Sequence, residues 1–403
     1  MKRTAVQLAC LLVLCAAPAA ARQLPSQPLA FDDGRVTIGG TVSATYGSDD
    51  TGFFNFTDYD RSELRMLRFD VTGAVNAGPH FAVLGELRTE NFAAVRPYAL
   101  YLRIHPWTSR DIDIQAGRVP PTFGAFARRT YASDNPLIGY PLAYQYLTTM
   151  RADALPATAD ELLAKRGSGW LLRYSVGDNT PDRGLPLVSA FRWDTGVQAH
   201  ARTANGTVSG TVAVTAGTVS NPLFNDDNGG RQVAGRLELR PTAGLIVGTS
   251  AARGAFLSDA AARSAGQTDG SAFAQTAWGA DAEYSRGYYL LRFETIVSAW
   301  DLPIVRTPAL TLPLRAASTS LEGRYKIVPG LYAAARVDHL GFSEIAGSTR
   351  TAEWDAPVTR TEVGAGYSIQ RNLLVKVSWQ RNRRDGGHVP NLDLGAAQVV
   401  FWF

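Results

Sequence analysis

The segment "FAVLGELRTE" at 81–90 alternates without a break. Phe81, Val83, Gly85 and Leu87 fall on one side, Ala82, Leu84, Glu86 and Arg88 on the other. A repeat of two places successive side chains on opposite faces, so this is a strand with two unlike faces. The pattern returns in "RPYALYLRIHPW" (96–107), where Tyr98, Leu100, Leu102 and Ile104 form one expected face. It returns again in "GRLELR", "LLRFETIV", "LEGRYKI", "RTEVGAGYSI" and "LVKVSWQ". Helical spacing is confined to a short piece, "TADELLAKR".

Such segments are expected at 35–46, 61–74, 80–90, 97–106, 110–118, 191–203, 206–218, 231–240, 243–254, 274–286, 287–300, 310–327, 330–344, 357–370, 372–384 and 391–403. Most exceed the ~5–6 residues of a globular strand and suit the ~9–11 that a tilted strand needs to cross hydrocarbon. Short turns ("VNAGPH", "TANGT", "YSRGY", "KIVPG") alternate with long polar connections at 48–60, 119–190, 220–230, 255–273, 301–309 and 345–356. Two rims of different character are what an up-and-down barrel produces. The fold class expected is all-β: a transmembrane antiparallel barrel of 16 strands, with 18 as the alternative if "GWLLRYSV" (169–176) adds a strand.

Charge follows the alternation. Leu67, Phe69, Val71, Val83, Leu87, Leu100, Leu102, Leu237, Leu239, Leu291, Phe293, Val375, Val377 and Trp379 form the expected lipid face. Arg68, Asp70, Glu86, Arg88, Arg103, Asp113, Arg292, Glu294, Arg324 and Arg336 are expected to line a pore, with Glu238, Glu322, Lys326, Asp338, Arg360, Glu362 and Lys376 on the same side. A soluble sandwich would invert these faces, and alternation alone does not separate the two. Aromatics at strand ends (Trp107, Tyr284, Tyr288, Tyr289, Trp300, Tyr332, Tyr367, Trp402) suit the headgroup level, where amphipathic rings gather.

The leader favours the barrel. Residues 1–21 carry Lys2 and Arg3, then an apolar run, then Ala19-Ala20-Ala21, the form of a cleaved secretion signal. Both cysteines, Cys10 and Cys15, lie within it, so residues 22–403, expected as a single barrel domain, contain none. Loss of Lys2 and Arg3 leaves 38 basic against 36 acidic residues. That near balance, without a basic aromatic-rich helix, argues against a nucleic-acid partner. A mean hydropathy of −0.09 is too polar for a bundle of membrane helices.

The chain ends "LDLGAAQVVFWF", with Ala397, Val399, Phe401 and Phe403 on one face. This resembles the C-terminal signature of Gram-negative outer-membrane β-barrels. The resemblance implies outer-membrane lipid as surroundings and makes Phe401 and Phe403 the signal read by the barrel-assembly machinery.

After the fifth strand comes "GRVPPTFGAFARRTYASDNPLIGYPLAYQY". Pro120-Pro121 ends the strand because proline removes ladder donors. The connection 119–190 is too long for a neutral turn. Its position resembles the third extracellular loop of general porins, which folds into the barrel and narrows it, and "GRVPPTFG" resembles the matching stretch of phosphate-selective-type porins. The family implies a homotrimer passing small hydrophilic solutes or anions by passive diffusion. No dense arginine or lysine ladder, as an anion-selective pore would carry, is present. The expected constriction set is Arg118, Arg128, Arg129 and Asp134. Its arginines either attract anions into the pore or pair with carboxylates such as Asp113 and Glu86. Basic and acidic inward positions nearly balance, so weak selectivity with at most a modest anion preference is expected.

Other chemistries find less support. "NPLFNDDNGG" (221–230) lacks a bidentate glutamate at calcium spacing and reads as a polar loop. The histidines (His80, His105, His200, His339, His388) adjoin no nucleophile constellation, so no enzyme activity, cofactor or metal is expected. A structural or adhesive barrel remains an alternative.

Overall fold

A computed structural model describes residues 25–56, 61–190 and 192–403; the leader lies outside them. One antiparallel sheet contains seventeen strands, of which Leu29–Phe31 is a short hairpin arm on the first long strand. The other sixteen form the barrel: β1 (Val36–Gly47), β2 (Leu67–Asn76), β3 (Phe81–Glu90), β4 (Arg96–Ile104), β5 (Ile112–Val119), β6 (Asp194–Arg202), β7 (Val208–Thr215), β8 (Gln232–Thr242), β9 (Leu245–Ala255), β10 (Ala274–Arg286), β11 (Tyr289–Trp300), β12 (Leu314–Val328), β13 (Leu331–Phe342), β14 (Val358–Gln370), β15 (Leu373–Arg384) and β16 (Asn391–Trp402). β1 pairs with both β2 and β16, which closes the sheet and removes its edges.

Each expected strand is present. The second begins only at Leu67, because Glu63–Arg65 forms a 3-10 turn capped by Ser62. "GWLLRYSV" adds no strand to the barrel. Its last residue joins the two-residue strand Val176–Gly177, which pairs with Ala154–Leu155 inside the long loop, and Leu172 bridges to Asp182. The count therefore stays at sixteen. "TADELLAKR" supplies the helix Ala159–Leu163, capped by the Thr158 hydroxyl. Tight turns need the left-handed backbone at Gly287 (φ +57°) and Gly330 (φ +85°), which only glycine adopts cheaply.

Outward residues are apolar and exposed, among them Val71, Val83, Leu87, Leu100, Leu237, Leu291, Val377 and Trp379. The main apolar core lies inside the barrel. There Trp300, Leu314, Leu340, Phe342, Trp354 and Val358 pack against Leu142, Tyr144, Met150, Leu162 and Leu172 of the long loop. Trp300 and Trp354 meet edge to face at 5.9 Å. The expected aromatic belt is corrected at three places. Trp107, Tyr284, Tyr288, Tyr289 and Tyr367 are exposed outside. Trp300, Tyr332 and Trp402 instead share inward parity with Glu294, Arg336 and Gln398 on their strands.

Candidate functional site

The long loop turns into the barrel directly after β5. The Thr122 hydroxyl donates to Gln198, the Gly124 amide to Ser250, and the Ala125 amide to Glu294 at 2.7 Å. Tyr144 also donates to Glu294, at 2.6 Å. At the apex, 131–140, the wall holds the loop by its backbone. Lys376 Nζ donates to the carbonyls of Ala132, Asn135 and Leu137 at 2.8, 2.9 and 3.1 Å. Arg336 and Arg360 donate to the carbonyls of Gly139 and Tyr140, and the Gly139 amide donates to Glu362. A side chain at 139 would begin 2.2 Å from Gln380 Nε2, so glycine permits this close approach.

The wall charges behind the apex are buried and paired, as charges removed from water must be. Arg68 lies between Glu63 and Glu90, both at 2.8 Å. Arg88 pairs with Asp70 and Glu86 and stacks 3.7 Å over the Tyr98 ring. Tyr98 corrects the expected outer face of β4. A bulge opposite Glu86 and Leu87 shifts the register, so Tyr98 turns inward and donates to the Ala190 carbonyl. Arg336 joins Glu322, Asp338 and Glu362.

Below the apex, on the short-turn side, a second set of charges keeps partial contact with solvent. Arg129 Nη1 and Arg292 Nε both donate to Glu283 Oε2 at 2.8 Å, and Arg292 reaches on to Glu322 at 3.0 Å. The Arg129, Glu283 and Arg292 side chains are 20%, 27% and 17% exposed, so this trio borders open space. Asp134 is exposed beside them on the loop. Arg324 lies inward near the Tyr332 ring. Arg103 is inward on β4 opposite Gln115, while Asp113 accepts from His105.

The expected constriction set is thus only partly assembled. Arg129 and Asp134 come together on the inner loop, and the Arg128 side chain lies outside the described residues. Arg118 is a correction. It sits across from Leu100 on the outer face and lies 5.6 Å from the exposed Phe224 ring. Strict alternation along β5 would have turned it outward, because Asp113, Gln115 and Gly117 occupy the inner positions. Arg129 pairs with Glu283, whereas Glu86 accepts from Tyr131. Glu283 lies directly across from Arg292, so cross-strand parity could have found it. The triple role of Lys376 left no such signal, since its acceptors are loop carbonyls.

Outside the membrane span, Asp355 fixes the external loops. Its carboxylate accepts from the amides of Thr149 and Gly167. Burial raises its pKa to about 6 despite these bonds. At 221–230, Asp226 accepts from the Asn228 and Gly229 amides and pairs with Arg231, the geometry of a closed surface turn.

A closed sixteen-stranded barrel with its longest external loop packed inside is the porin fold, a Gram-negative outer-membrane architecture. Solved structures of similar form include the anion-selective porin from Comamonas acidovorans, at 10% identity and a TM-score of 0.54 over 91% of this chain and 99% of that one. OmpF of Salmonella typhi matches at 11% and 0.54 over 94% and 100%. OmpT of Vibrio cholerae, in trimer form, matches at 10% and 0.51 over 91% and 99%. No family model matches the chain, and no curated protein matches it in sequence.

Proposed function

We propose that this chain is a passive outer-membrane porin for small hydrophilic solutes and ions, weakly selective with at most a modest anion preference. The leader 1–21 directs secretion, and 22–403 works as one barrel domain, with 119–190 as its constriction. Phe401 and Phe403 serve as the signal to the assembly machinery, and the working form is a homotrimer. The barrel is a channel rather than an enzyme.

One observation carries the selectivity. At the solvent-bordering set, Glu283 accepts from both Arg129 and Arg292. Two guanidiniums facing Glu283 and Glu322 leave little net charge to sort ions by sign. Conductance of the refolded protein in a planar bilayer tests this reading. Steady ohmic steps with a small reversal potential in a salt gradient support it. Small steps, strong anion selectivity and block by phosphate would make the protein a substrate-selective porin. Silence from folded protein would leave a structural or adhesive barrel.

A further inference from the structure

The lumen is sealed toward the outside. Inward side chains on the external halves of the strands, among them Glu90, Asp194, Ser298, Leu314, Arg360 and Asn382, are at most 8% exposed. On the short-turn side the inward Thr41, Arg103, Glu283 and Arg324 keep partial contact with solvent. Water therefore enters the barrel from that side and stops at the loop. An ion or solute crosses only when part of 119–190 moves.

The loop meets the wall in two ways. Toward β11 to β13, its Tyr144, Met150 and Leu162 pack with Trp300, Leu314 and Leu340 in the apolar core. Parting them would expose apolar surface to water, which is unfavourable. Toward β15 and β16 the contact is polar. Lys376 holds the carbonyls of Ala132, Asn135 and Leu137. Ser378 Oγ, both amide atoms of Gln380, Gln398 Oε1, Gln145 Nε2 and Asn55 Oδ1 are buried without a hydrogen-bond partner among the described residues. Ser378 and Gln380 follow Lys376 on the inner face of β15, and Gln398 lies across from Lys376. Gln380 Nε2 and Asn55 Oδ1 both border the space where a side chain at 139 would begin, and Gln145 accepts from the Tyr140 amide at 3.3 Å. A buried polar group without a partner costs free energy that hydration returns. Carbonyls leaving an ammonium exchange one polar partner for another. This seam is therefore the one that water opens most easily.

We infer that this conformation is the closed state of the channel and that the loop apex, 131–145, is its gate, which opens along β15 so that solutes pass over Ser378 and Gln380. The inference rests on the reading of the chain as a passive porin, and it names the moving part and the path. The apolar core of the loop stays on β11 to β13 while the apex leaves. Lys376 then loses its three acceptors and stands beside amides and a hydroxyl. That lining admits neutral solutes and small anions more readily than cations. Gating by a loop of this kind sets when a site is open, not what the rest of the fold looks like.

The test is the reaction of single cysteines with an uncharged, water-soluble methanethiosulfonate, followed by mass in vesicles and by conductance in a planar bilayer. Residues 22–403 lack cysteine, so each variant has one thiol. Ser378→Cys gives up no hydrogen bond, because its hydroxyl has no partner. Ser318→Cys is the control, buried across from Ile296 and Leu340 on the core side. The thiol at 378 is expected to react at least tenfold faster than that at 318, with a stepwise loss of conductance. Gln380→Cys samples the same seam should Ser378→Cys fail to fold. Adding Lys376→Met to Ser378→Cys is expected to speed the reaction severalfold, and an unchanged rate counts against the gate. Equal rates at 378 and 318 in a conducting channel overturn the gate and leave the porin standing. Folded wild-type protein that never conducts, with an unreactive thiol at 378, overturns both.

Discussion

Replacing Glu283 by glutamine removes the one carboxylate shared by Arg129 and Arg292 while keeping its shape. The trio would then hold two guanidiniums facing Glu322 alone. One unit of charge about 5 Å from an ion's path in water is worth about 0.8 kcal/mol. Screening over a Debye length of about 10 Å at 0.1 M salt reduces this to about 0.5 kcal/mol. The change has opposite sign for anion and cation. Their permeability ratio should therefore move about fivefold toward anions, and less than twofold at 1 M salt, where the Debye length is about 3 Å. The assay is the reversal potential across a KCl gradient, measured at both ionic strengths on single channels. A Glu283→Gln channel with the wild-type reversal potential at 0.1 M would refute the reasoning, since Glu283 would then lie off the ion path. A shift independent of salt would also refute it, because it would point to a rearranged loop rather than a field.

Lys376→Met strands three buried carbonyls at the loop apex. At about 1 kcal/mol for each lost bond, the apex should loosen by about 3 kcal/mol, seen as faster amide exchange over 132–140 and flickering conductance; unchanged exchange would remove Lys376 from its anchoring role. Asp355 gives a pH dependence. Its folded pKa, about 6, lies above the ordinary 3.8, so the fold binds the proton more tightly than the unfolded chain. The external loop assembly should therefore weaken as pH rises from about 4 through about 6, by about 3 kcal/mol at most, and level off above. Asp355→Asn should abolish the slope, read as amide exchange at 149 and 167 against pH. Gly40→Val would start a side chain 2.9 Å from the Phe403 ring. That ring belongs to the residue that exchanges two backbone bonds with Gly40, so refolding into vesicles should slow, scored by the heat-modifiable band on electrophoresis. Refolding at the wild-type rate would show that this seam forms late.

The barrel wall is legible in the chain's periodicity. A period of two, repeated in long segments between short and long connections, specifies sixteen two-faced strands, because each residue's side is fixed by its neighbour's. That rule held inward positions such as Arg68, Glu294 and Arg336, and followed strictly it also turns Arg118 outward. It failed at Tyr98, where one bulge reverses parity and the alternation runs on unmarked. The interior depends on contacts between residues far apart in the chain. The loop 119–190 has no period, and its partners lie far away in the chain: Lys376 on Ala132, Arg336 on Gly139, Glu294 on Tyr144. A strand's face can be read locally, since it depends on adjacent residues. Which carboxylate meets Arg129 depends on where a closed barrel brings the far wall, and local sequence contains no record of that distance.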